Sequence, residues 1–144
     1  MEMAWLSMEE WMKQGRLNII LGSAVIIVAG IGGFALGFTV EHHFVLGHYS
    51  PGLARFLTKA GHSHGMPMAF YNLIVGGLID RFGLGEGEMK WCSWLAAGAF
   101  LMPLGLLLRG LDGGALTFAP VTLVGGLSFM ASAALILKGA LAAR

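Results

Sequence analysis

LNIILGSAVIIVAGIGGFALGFTV, residues 17–40, decides the fold. It runs for 24 residues without a charged side chain, and about 20 apolar residues cross the hydrocarbon layer of a bilayer. No water is available there to satisfy backbone N–H and C=O groups, so such a segment is helical. Ala29, Gly33 and Gly37 recur every fourth residue and form a groove for a partner helix. The whole chain shares this bias. Of 144 residues, 56% are hydrophobic and 12% charged, against about 25% charged in a soluble domain. Twenty-three glycines and a net charge of +1 fit close-packed membrane helices and give no basic surface for nucleic acid. The one cysteine, Cys92, excludes an internal disulfide and any zinc or iron–sulfur site built on cysteines.

Outward from this span, the sequence predicts an all-α, four-transmembrane-helix bundle forming a single membrane domain over 1–144, with spans at 17–40, 63–79, 91–108 and 116–137. Residues 1–16 predict a short amphipathic helix, with Trp5, Met8, Trp11 and Met12 on one face and Glu2, Glu9, Glu10 and Lys13 on the other. No lysine or arginine precedes an apolar core here, so the segment reads as interfacial rather than as a signal peptide. After the first span, the connection extends to Gly61, with a turn at Ser50-Pro51-Gly52 and a helical turn over 53–59. Ser63 is the expected N-cap of the second span, which puts Pro67 near its first turn, where a missing N–H matters least. Asp80 and Arg81 read as an interfacial ion pair at its end. Pro103 predicts a kink in the third span, and Arg109 to Gly114 a tight turn before the fourth. Six of the nine basic residues (Lys13, Arg16, Arg81, Lys90, Lys138, Arg144) fall on the side of the termini. By the positive-inside rule both termini are cytoplasmic, in an inner or plasma membrane, and the first loop is on the outer side.

All five histidines lie within residues 41–72, EHHFVLGHYSPGLARFLTKAGHSHGMPMAFYN. In the four-span reading, His42 and His43 close the first helix and His62 and His64 open the second. Imidazole is the commonest metal ligand among side chains, and ionisable groups at the edge of the apolar layer are usually functional. His48 reads as a solvated loop residue. Asn72 is either a tie between helices or a donor pointing into a pocket, and Tyr71 could serve similarly. Zinc lacks the companions it prefers, because Glu41 is the only acid nearby. Copper(I) finds imidazole and thioether together in His62, His64, Met66 and Met68. Haem needs one or two axial imidazoles and an apolar slot. The residues alone leave copper and haem open.

In order along the chain, Glu41-His42-His43, Ser50-Pro51-Gly52, His62-Ser63, Asn72 and Leu116-Thr117-Phe118-Ala119-Pro120 resemble the corresponding segments of the styrene oxide isomerases, small four-span membrane proteins of similar length. The resemblance implies a homotrimer binding haem b between subunits, with one axial histidine at the start of the second helix. That histidine corresponds to His62, which is followed by serine as in the family; His64 is its rival or a second ligand. Ferric iron with an open position acts in that family as a Lewis acid on an epoxide oxygen, and ring opening with a hydride shift gives an aldehyde. Asn72 corresponds to the asparagine that holds the epoxide, two residues further from the ligand than in the family. The family's third-helix tyrosine has no counterpart in Phe100-Leu101-Met102-Pro103-Leu104-Gly105. The leading expectation is thus isomerisation of an apolar epoxide in contact with the lipid bilayer. Alternatives are a haem b electron-transfer or gas-binding subunit using His62 or His64 with His43, a copper-handling protein, and a structural subunit without cofactor.

Overall fold

The computed structural model describes residues 15–45 and 52–142, with side chains from 15–35 and 52–142. All regular structure among the described residues is helical. Five helices follow one another: α1 (Arg16–Val45), α2 (Leu53–Leu78), α3 (Glu86–Gly98), α4 (Leu101–Leu111) and α5 (Ala119–Ala142), with 3-10 turns at Ile79–Arg81 and Leu116–Phe118. Three stretches are long and apolar enough to cross a membrane: Arg16–Ala35, the α3–α4 pair over Glu86–Leu111, and Leu116–Ala142. Their outward residues are large and apolar; Val28, Ile31 and Phe34 of α1 are 69%, 67% and 76% exposed. Of the amphipathic helix expected over 1–16, residues 1–14 lie outside the described residues and Arg16 already belongs to α1; of the turn expected at Ser50-Pro51-Gly52, Ser50 and Pro51 lie outside them.

Two expectations about α2 are corrected. The helix does not begin at Ser63. It begins at Leu53 behind Gly52, and the Ser63 hydroxyl donates to the Ala60 carbonyl one turn back (3.1 Å) instead of capping an N-terminus. Arg55 and Lys59, expected in a separate helical turn, and His62, expected just before the span, therefore share one continuous helix with His64. Pro67 is interior rather than first-turn. The second correction follows from register. α1 and α2 run antiparallel, with Gly15 against Gly76, Gly22 against Ala69, and Gly33 against His62. His43 stands ten positions beyond Gly33 on α1, about 15 Å along the axis. The backbone thus does not bring it level with His62.

The third apolar stretch breaks at Ala99 and Phe100. Pro103 has no N–H to give the Ala99 carbonyl, which accepts from Met102 N instead (3.1 Å). Glycines then allow backbone to meet backbone. A Cβ on Gly125 of α5 would stand 1.9 Å from Met102 N, and one on Gly61 of α2 would stand 2.8 Å from the Pro103 carbonyl and Leu107 N. α4 is consequently held between α2 and α5. The Asp112–Ala115 turn that leads to α5 uses Gly113 and Gly114 at φ 64° and 94°, a region that L side chains avoid. A small core of Val75, Ile79, Cys92 and Ala96, with Phe82, Leu84 and Leu135 against it, closes the opposite end of α2.

Candidate functional site around His62

His62 projects from α2 toward α1 at a place where α1 has no side chains. A Cβ on Gly33 would lie 3.2 Å from both Cε1 and Nε2 of the ring, and one on Gly32 would lie 3.9 Å from Nδ1. Beside the ring opens a cavity of about 360 Å³ between α1, α2 and α4, within the range of small-molecule sites. Val28, Ala29, Phe100, Leu104 and Leu107 form much of its wall, and among the described residues the only polar side chains lining it are Thr58 and His62. Thr58 lies one turn before His62, and its hydroxyl donates to the Ala54 carbonyl (2.9 Å). Among the described residues nothing hydrogen-bonds His62. One imidazole, with its nitrogens uncommitted, is thus the one strong donor or acceptor offered to an occupant of an apolar space.

The other expected site residues lie elsewhere. His64 follows His62 by two positions, about 200° around the helix. It is exposed, and its Nδ1 engages the Ala60 carbonyl at 2.7 Å. Met66 shares the side of His62 and Met68 that of His64, so the four candidate copper ligands divide between two faces. No group of three or more His, Cys, Asp or Glu side chains converges among the described residues. The side chain of His43 and all of His48 lie outside the described residues.

Asn72 is ten positions beyond His62, about 15 Å along the helix, and does not line the cavity. It is wholly buried among α1, α2 and α3. Its Nδ2 donates to the Met68 and Ala96 carbonyls (3.0 and 2.8 Å), and its Oδ1 accepts from Asn18 Nδ2 (2.8 Å). Asn18 also donates to the Ser93 carbonyl (2.9 Å) and accepts from the Ser93 hydroxyl. Both N–H donors of Asn72 are committed, so of its two expected roles it fills that of the tie. Tyr71 faces α5: its hydroxyl donates to Ser132 Oγ (2.8 Å), and its ring meets Phe129 edge-on with centroids 4.9 Å apart. Ser132 passes its own proton to the Cys92 carbonyl (3.1 Å).

Sequence reading missed Thr58, Gly32 and the partner of Asn72. The signal for Asn18 was available: a second amide inside an apolar span, able to satisfy the first. Thr58 gave none, because 53–59 reads as a single helical turn in a loop.

An apolar pocket with one free imidazole fits the protein side of a haem site that has a single axial ligand. It does not by itself select the group. The chain matches no family model, and comparison with curated proteins and solved structures finds no significant relative.

Proposed function

We propose that the chain is a four-span membrane protein that holds haem b through His62 and isomerises an apolar epoxide to an aldehyde. The observation that carries this reading is the unpartnered His62 ring at an apolar cavity between α1, α2 and α4. α2 is the fourth span. Its 26 residues reach about 39 Å, enough for a core of about 30 Å, and it packs along α1 and α4. Both termini are then cytoplasmic, and the α1–α2 connection faces outward. Homotrimeric assembly is part of the proposal, supported by the large apolar residues left on the outward face of α1.

When bound, the haem iron supplies Lewis acidity toward an epoxide oxygen. His62 anchors the group. Val28, Phe100 and Leu104 exclude water, which protects a ring-opened species from hydrolysis. Isomerisation by an internal hydride shift needs no net proton, in keeping with a wall whose described residues include no carboxylate, lysine or tyrosine.

The purified protein is expected to show a Soret band with high-spin ferric features, to lose it in His62→Ala, and to keep it in His64→Ala. Its membranes convert an aryl epoxide to the aldehyde. A His62→Ala protein that retains its haem sinks the site. Haem without aldehyde removes the isomerase and leaves the haem protein.

A further inference from the structure

We infer that Gly33 is the positioning residue that keeps the Nε2 edge of His62 open to a ligand. The inference rests on the haem reading only for the identity of that ligand. No hydrogen bond to a described residue fixes the ring, so its setting depends on what stands beside it. What stands beside it is the backbone of α1. The 3.2 Å separations from a Gly33 Cβ to Cε1 and Nε2 are tighter than ordinary contact, while Gly32 leaves 3.9 Å and Gly30 meets nothing within 4 Å. Only two ring atoms come this close to Gly33, so contact is with the ring edge that bears Nε2 and not with its face. A methyl group there crowds the nitrogen, and a branched side chain covers it. Glycine is the poorest helix former after proline, and α1 places two in succession opposite this ring. Gly30, on the same helix and in open space, supplies the control.

The test is carbethoxylation of the full chain in detergent, with any bound haem first extracted, by diethyl pyrocarbonate, read by peptide mass spectrometry. His64 is the internal reference because it is exposed and on the other face of α2. The ratio of His62 to His64 labelling is expected to fall by roughly tenfold or more in Gly33→Val, the scale on which one methylene alters access to a pocket. It falls by a smaller factor in Gly33→Ala and stays at the wild-type value in Gly30→Val. Haem content follows the same order. An unchanged ratio in Gly33→Val overturns the inference, whatever the haem does. If Gly33→Val loses its helix content, Gly33→Ala decides: a lowered ratio supports the inference and an unchanged one overturns it. Retention of haem by His62→Ala overturns the haem reading alone, because the labelling ratio still tests Gly33.

Discussion

The two ends of α2 solve opposite problems. Around Asn72, every polar atom brought into the apolar interior finds a partner: two amides, a serine and three backbone carbonyls close on one another across α1, α2 and α3. Around His62, ten residues away, the polar ring has no hydrogen-bond partner among the described residues and a cavity opens beside it. A buried donor or acceptor without a partner is destabilising by about 1–3 kcal/mol. A partly exposed imidazole at an open cavity escapes most of that penalty, yet it contributes little to the fold. The Asn72 end therefore holds the helices together, and the His62 end is available for a ligand.

Substitutions can break this contrast. The largest effect is expected at Asn72→Leu, which removes three hydrogen bonds and leaves one N–H of the Asn18 amide without its acceptor, for a loss of about 3 kcal/mol in reversible unfolding. Asn18→Leu combined with Asn72→Leu is expected to be less damaging than the two single losses added, because no amide is then left alone. Equal or greater damage from the pair would show that packing, not pairing, sets the stability of this end. Next is Ser132→Ala, which strands the Tyr71 hydroxyl, removes a second bond from the Cys92 carbonyl and lowers stability by about 1–2 kcal/mol. His62→Leu should change the stability of the ligand-free protein by no more than about 0.5 kcal/mol while abolishing haem uptake; a loss comparable to that of Asn72→Leu would make His62 part of the scaffold. The smallest effect belongs to the exposed Glu88–Lys138 pair that joins α3 to α5. Thermal unfolding of Glu88→Gln is expected to match wild type, as for most surface ion pairs.

What the sequence disclosed divides along the same line. The first apolar run marks α1, because 24 uncharged residues admit few alternatives in lipid. The break before Pro103 and the glycine turn after Arg109 were readable from backbone chemistry alone. The start of α2 was not: Arg55 and Lys59 read as a short turn within a connection, and Ser63 with Pro67 imitates a helix start. Packing of Gly61 on α4 and of Thr58 against Gly110 holds that segment helical, and no local pattern announces such contacts. His62 stood out by residue type, whereas the glycines facing it gain their meaning only from the antiparallel register.

The clamping of α4 has a consequence for whatever enters the molecule. With Gly61 of α2 and Gly110 of α4 marking the seam with α2 on one flank and Gly105 and Gly125 marking the seam with α5 on the other, α4 acts as a keel, and its backbone cannot shift without collision. One wall of the chamber is thereby fixed in place. Any widening of that chamber falls to α1, whose outward flank no other described helix covers.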